Sequence, residues 1–524
     1  MKRPAPLGLV FSAFLALAST SHAASVVYGA GGEPVSLESG NIIDSNSSTV
    51  QNQIYDTLGK FKPGTSTLGP GLALNWQASA DMKSWTFNLR KNVKFHDGTP
   101  FNADAVIFNV DRWWNPQSQY RYNHTWESWG QILGESKGKG SMLDSVKKNN
   151  DSSVTFVLTR PVADFPARIS TSFFGMASPT AVKKAGANYG TPAAGAVGTG
   201  PYIYQSWKTG DRITLKANPT YWGGKPKNDG MIFRFLKESS ARLNELRAGT
   251  LDITCDLNPS DLKTIQGDAK LTTILKPSFN IGMLNIYTGT RKELQDVRVR
   301  RAIGYAINRP AIAEAFWGPR ATTDNSIVPP ALDWANSKKV PSSTAPNVAL
   351  AKKLLAEAGY PNGFTLDLWY MPVSRPYFPT PKPIAEAIAA DLAAIGIKTN
   401  LKTEDWAKYL EDSREKPGFD LYMLGWSGSH ASPSTFYDPH FGPGGEPDTA
   451  YENKALQKLL DDASAAKNQA EAAKIYARAH ELAYDSAVRI MMVHTRPLCA
   501  SRKTITGWTP NPTNSDQFNT VVVK

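Results

Sequence analysis

The chain has 524 residues, 20% of them charged and 41% hydrophobic, with a formal net charge of +12. That length is more than one hydrophobic core organises, so several domains are expected, and the composition is that of a folded globular protein. The basic residues are dispersed, with Arg298-Val299-Arg300-Arg301 as the densest run, and no nucleic-acid-binding motif accompanies them, so no nucleic-acid partner is expected.

Lys2 and Arg3 precede an apolar stretch from Leu7 to Ala18, and Ser21-His22-Ala23 supplies small residues for cleavage. Residues 1–23 therefore read as a secretory signal peptide. No cysteine lies near the cleavage point, and no later stretch approaches the roughly 18 uninterrupted apolar residues of a membrane span. An exported, soluble mature chain is expected, periplasmic in a bacterium. An oxidising compartment allows Cys255 and Cys499 to pair, although a disulfide and two buried thiols both remain open at this stage.

Ser25 to Gly31 reads as a strand, followed by a polar, turn-rich segment and a short helix over 51–58. Trp85, Phe87 and Leu89 alternate with polar residues and predict a strand. Asn102 is placed to cap a helix carrying Val106, Phe108 and Val110. Further strands are predicted at 154–158, after Gly200, and at 212–216, 231–236 and 251–255, with a helix over 240–248 that Gly249 ends. A connecting strand over 278–285 leads to helices at 297–308 and 349–359. Asp367 to Met371 reads as a strand running into a stiff, extended loop, since prolines stand at 372, 376, 379, 381 and 383. Helix 383–396, strand 398–402, helix 405–414, strand 420–425, helices 455–466 and 469–487 and strand 489–494 follow. Strands alternating with helices argue for an α/β fold.

Enzyme constellations are sparse. The seven histidines form no metal-binding spacing, and His494 on its apolar strand reads as a core histidine. Gly425-Trp426-Ser427-Gly428 misses the spacing of a nucleophile elbow. Ser260 and Lys263 fit the SxxK pattern of some serine hydrolases, but a serine capping a helix explains the pair better. No cofactor is expected. What stands out is Arg375 on the proline-stiffened loop beside Tyr377. Its planar fork of donors suits a carboxylate. Trp426, between glycines past the end of a strand, suits close approach of a ligand in an open α/β sheet.

Several blocks carry a family resemblance. They are SWTFNLRKNVKFHDGTPFNADAVIFNVDR (84–112), GTGPY (198–202), NPTYWGGKP (218–226), LNELRAGTLDI (243–253), DVRVRRAIGYAINRPAI (296–312), DLWYMPVSRPYFP (367–379) and LGWSGS (424–429). In order and spacing the chain resembles the family 5 extracytoplasmic solute-binding proteins of bacterial peptide ABC importers, and within them the dipeptide-binding branch. The resemblance implies a two-lobed, flytrap-like fold with an extra subdomain: lobe I over 24–278 with an insert at about 68–195, lobe II over 279–492, and a return to lobe I over 493–524. It implies a monomer that captures a small peptide and passes it to an inner-membrane permease without catalysis. It places Arg375 on the peptide carboxylate, Tyr377 and Trp426 on the pocket wall, and the backbone of Ser427, Gly428 and Ser429 along the ligand.

One position departs from the resemblance. Where the dipeptide branch has an aspartate for the ligand's ammonium, this chain has Ser429, and no acid stands nearby in sequence. A buried ammonium needs an anion, so Glu38 or Asp438 must take the role or the ligand lacks a free amine. Glutathione or another modified peptide, an opine-like anion, haem and a metal chelate are the alternative ligands; an exported hydrolase using Ser260 and Lys263 is the alternative activity.

Overall fold

The computed structural model describes residues 24–524 except 42–43, 123, 125, 139, 416 and 443–447; the expected signal peptide lies outside the described residues. Most strands gather into three sheets. The first has seven strands in the order Leu271–Leu275, Leu498–Arg502, Ile253–Thr254, Val26–Ala30, Gly230–Phe235, Arg212–Ala217 and Tyr202–Lys208. The second has six, ordered Ala321–Thr322, Arg489–Thr495, Asn280–Ile286, Leu421–Ser427, Thr365–Trp369 and Lys398–Lys402. A four-stranded antiparallel sheet, Ala73–Ala78, Ser84–Leu89, Ser153–Leu158 and Leu143–Asn150, is built from the segment between Val26–Ala30 and Tyr202–Lys208 of the seven-stranded sheet. The chain is a mixed α/β protein.

The central strand of the six-stranded sheet, Asn280–Ile286, is buried along its whole length. Ile281 and Met283 enter one apolar cluster while Leu284 and Ile286 enter another, so both faces of the sheet are covered. A near-continuous apolar run is what such a strand requires. The chain passes between the two large sheets at Lys276–Phe279 and again at Arg496–Pro497, and Lys276 N–H donates to the Pro497 carbonyl at 3.0 Å, tying the two crossings together.

Beside the first crossing, Cys255 and Cys499 form a disulfide, with Cα atoms 3.9 Å apart. Thr254 pairs with Ala500 across the adjoining antiparallel strands, so the next residues along, the two cysteines, face each other.

Several elements differ from the sequence reading. The first helix runs over Ser45–Ile54 rather than 51–58. Asp44 caps it by accepting from Ser47 N–H at 2.7 Å. Its polar residues hid it, because they are buried for a reason remote in sequence: Asn52 and Gln53 donate to the carbonyls of Asn514 and Asp516. The stiff loop is shorter than five prolines suggest, since the helix is Pro381–Ala393 and Pro381 and Pro383 occupy its first turn, where no N–H is needed. The helix expected over 297–308 is Val297–Ala306, and a second helix that was not foreseen, Arg309–Trp317, follows it, capped by Asn308 with Pro310 in its first turn. Helix Ser434–Phe441 was not foreseen; Pro433 and Pro439 disguise it. His494 is buried and meets the Asn280 and Ser326 carbonyls, as a core histidine does.

Candidate functional site

The strand Leu421–Ser427 pairs along its full length with Asn280–Ile286 on one side. On its other side it pairs with Thr365–Trp369 only through Leu421 and Tyr422. The outer edge from Leu424 to Ser427 therefore has no strand partner among the described residues. At this divergence the chain leaves Trp369 and forms the turn that carries Arg375.

That turn is closed by reciprocal bonds, Arg375 N–H to Phe378 O at 3.0 Å and Phe378 N–H to Arg375 O at 2.9 Å. Ser374 Oγ adds a bond to the Pro379 carbonyl at 2.8 Å. Tyr377 and Phe378 are driven inward and buried, which leaves Arg375 exposed. Its guanidinium lies 5.2 Å from the centre of the Trp406 ring and makes a long contact to the Ser374 carbonyl. No carboxylate pairs with it among the described residues. Burial pushes the Tyr377 phenol up while the neighbouring Arg375 charge pulls it back, so the two side chains share one environment.

Two glycines make this packing possible. Gly282 and Gly425 face each other across the paired strands. A Cβ on Gly425 would come 2.4 Å from Tyr377 Cδ2, and one on Gly282 would come 3.1 Å from Phe378 Cζ. A side chain at Gly425 would overlap its neighbours outright, whereas one at Gly282 would need Phe378 to give by a few tenths of an ångström.

Past the strand end, Gly428 N–H donates to the Phe279 carbonyl at 3.0 Å, and a Cβ at Gly428 would collide with the Phe279 ring. Trp426 lies within the strand, which runs to Ser427 rather than ending at 425, and is half-buried, edge-on to His440 with ring centres 5.5 Å apart. Ser427 is exposed. Ser429 is held by Thr435, whose Oγ1 accepts its N–H at 2.9 Å, and its Oγ sits 3.1 Å from His430 Nδ1. From Ser429 a chain of hydroxyl and imidazole contacts leads inward. His430 Nε2 meets Ser434 Oγ at 2.9 Å, and Ser434 Oγ donates to Asp164 at 2.5 Å.

Asp164 belongs to the segment after the four-stranded sheet, so this relay crosses from one part of the molecule to another. Arg168 completes it. Its Nε donates to Asp164 at 2.8 Å, and its Nη2 donates to Ser434 Oγ at 2.8 Å and to Asp438 at 3.1 Å. Burial pushes the His430 imidazole down to about 4, with the Arg168 charge acting the same way and Asp164 opposing. Burial raises Asp438, against the pull of Arg168.

Glu38 lies elsewhere. It is fully buried and gripped through both oxygens by the equally buried Arg112, so its charge is already neutralised within the chain. Ser260 and Lys263 are exposed in a turn whose cap is formed by Asn258 and Asp261, not by Ser260. No group of three or more acidic, histidine or cysteine side chains suited to a metal is found among the described residues.

Trp406, Asp164, Arg168 and Ser434 were missed by sequence reasoning. Asp164 and Arg168 stand four apart on a short helix and could have been read as a helical ion pair. Their partners more than 260 residues away leave no trace in local sequence.

Comparison with known proteins fits this architecture. Residues 67–448 match the model of bacterial extracellular solute-binding proteins, family 5, and the chain belongs to that family. It is 33% identical to the dipeptide-binding protein of Escherichia coli, an alignment covering 99% of this chain and 98% of the relative. It is 31% identical to heme-binding protein A of Haemophilus influenzae, covering 97% and 93%. The crystal structure of a dipeptide-binding protein from Pseudoalteromonas in complex with Met-Leu superposes with a TM-score of 0.77 at 26% identity, covering 95% of this chain and 100% of that one. The fold is that of the periplasmic binding proteins.

Proposed function

We propose that this protein is the ligand-capturing component of an ABC importer, binding a dipeptide or short peptide outside the cytoplasmic membrane and delivering it to a permease. It acts in the periplasm as a monomer after loss of residues 1–23, and carries out no covalent chemistry. The observation that carries the reading is Arg375: an exposed guanidinium, with no acid paired to it among the described residues, fixed by a closed turn beside a strand edge that has no strand partner among them. The guanidinium takes the peptide's carboxylate in a bidentate grip. The free edge from Leu424 to Ser427 takes its backbone as an added strand. Tyr377 and Trp426 wall the pocket, and Ser427, Gly428 and Ser429 run along the ligand.

The two large sheets act as the cores of two lobes, 24–278 with its insert at about 68–195 and 279–492, with 493–524 returning to the first. Lys276–Phe279 and Arg496–Pro497 serve as the hinge. Relatives named for dipeptide binding support the peptide reading. Glu38 is set aside as the ammonium's partner because Arg112 already holds it. The test is mass spectrometry of ligand retained through gentle purification, followed by calorimetry with the compound found. A peptide supports the reading, and haem or a non-peptide solute moves the protein to the second reading, which the absence of an acid at Ser429 and a heme-binding relative favour.

A further inference from the structure

Arg168 stands on the short helix Phe165–Ile169, with Asp164 just before it. That helix is rooted in the core of the four-stranded sheet, where Phe165 meets Phe156 with ring centres 5.1 Å apart and Ile169 joins the same apolar cluster. Helix Ser434–Phe441 faces it from the other side. It is rooted behind the six-stranded sheet, in a separate apolar cluster, through Phe436 against Phe279 and Tyr437 against Tyr476. Where these two parts touch, the contacts are polar. Arg168 is only 6% exposed, and its guanidinium reaches across to Ser434 Oγ and Asp438. Ser434 Oγ donates back to Asp164. Beside this pair, Ala163 N–H donates to the Ser464 carbonyl at 2.6 Å, and Ser66 Oγ donates to the Ala331 carbonyl at 3.1 Å.

A junction of this chemistry is suited to being made and broken. Charges that separate return to water, which repays much of what was lost in bringing them together. Polar interfaces between parts of one chain belong to parts that move, whereas a large apolar one would fix them. The chain itself passes between the two large sheets only at Lys276–Phe279 and Arg496–Pro497, which are tied to each other, so this junction is a separate and reversible attachment.

The junction also leads to the ligand loop. Ser434 has one hydroxyl proton, and Asp164 takes it, so Ser434 Oγ accepts from Arg168 and from His430 Nε2–H. His430 Nδ1 is then free to accept from the Ser429 hydroxyl. The proton order set by Asp164 and Arg168 thus runs through His430 to Ser429. We propose that Arg168 is a positioning residue for capture: it latches the segment after the four-stranded sheet onto the six-stranded half, holds the loop from Ser429 to Ser434 in place, and so sets how long a ligand stays. This rests on the ligand-capture reading above.

The experiment follows binding and release of the dipeptide Met-Leu by stopped-flow tryptophan fluorescence on wild type, Arg168→Met, Ser434→Ala and the double variant. Each single variant is expected to release at least fivefold faster than wild type, with association unchanged within twofold. The double variant is expected to release no more than twofold faster than the faster single variant, because both residues make one junction. Ser434→Ala leaves the bonds of Arg168 to Asp164 and to the Ile132 carbonyl intact, so faster release there does not come from damage to the far side. Unchanged release in Ser434→Ala, or effects that multiply in the double variant, overturns the proposal. If Met-Leu does not bind wild type, the capture reading fails for that probe, and X-ray scattering of the ligand-free proteins decides the latch. A larger radius of gyration in both single variants than in wild type supports it, and superimposable curves refute it.

Discussion

The Tyr377 ring lies where Gly425 has no side chain, its Cδ2 atom 2.4 Å from the point a Cβ would occupy. One absent methyl group therefore sets the height of the turn that presents Arg375 above the sheet. Gly425→Ala must both lift Tyr377 and push back the Ile281 carbonyl of the paired strand, which lies 2.3 Å from the same point. Overpacking of this kind costs about 1–3 kcal/mol. We expect a lower melting temperature by circular dichroism, and a loss of ligand affinity larger than the loss of stability accounts for at the assay temperature. Full affinity in a stably folded Gly425→Ala would separate the turn from the site.

Arg375→Ala removes one partner of a charge pair and is expected to weaken binding of a carboxylate-bearing ligand by about 2–5 kcal/mol. Ligand-free stability should change little, since the guanidinium is exposed and no acid pairs with it among the described residues. Calorimetry and a thermal melt on the same preparation read the two quantities separately.

Trp406 supports that guanidinium from beneath at 5.2 Å. Its replacement by leucine keeps an apolar surface but removes the ring face, with an expected cost of about 0.5–2 kcal/mol in ligand affinity. In a double-mutant cycle with Arg375→Ala the two losses should be less than additive, because Trp406 acts by holding Arg375. Strict additivity would assign Trp406 an independent role.

His430 gives a pH signature. Burial, aided by Arg168, holds its folded-state pKa at about 4, below the unfolded value of roughly 6.5. Between those values the unfolded chain binds a proton that the folded chain refuses, so stability rises with pH across the window. The contribution is present above about 6.5 and is lost as pH falls toward 4. His430→Asn removes this dependence, so the melting temperature of wild type should fall relative to the variant between pH 7 and pH 4.5. Asp438 titrates in both proteins and drops out of the difference. Parallel curves would show that His430 is already solvated or protonated.

Much of this molecule was legible in sequence where local chemistry and local structure coincide. Trp85, Phe87 and Leu89 alternate and form the expected strand, and Gly249 ends its helix in the left-handed conformation, at φ 82°. The exposed turn that carries Arg375 was legible from its prolines, although two of them start the next helix. The reading failed where long-range partners decide. The helix Ser45–Ile54 buries glutamine and asparagine against the far C-terminal segment. Glu38 looked available until Arg112, 74 residues on, was seen to hold it.

The disulfide between Cys255 and Cys499 closes a covalent ring across a separation of 244 residues, and that ring contains the whole six-stranded sheet and both crossings. In the chain-entropy account such a loop contributes about 5 kcal/mol at most, so Cys255→Ser with Cys499→Ser should melt well below wild type. The ring also has a mechanical meaning. Ile274 lies opposite Cys499 and Leu275 opposite Leu498, so the bond fastens the roots of both crossing segments to one rigid base. Any swing of the six-stranded half must begin beyond that base and cannot unzip the strands beneath it. A protease that cuts once within the ring leaves the two pieces joined, and they part only when the molecule is also reduced.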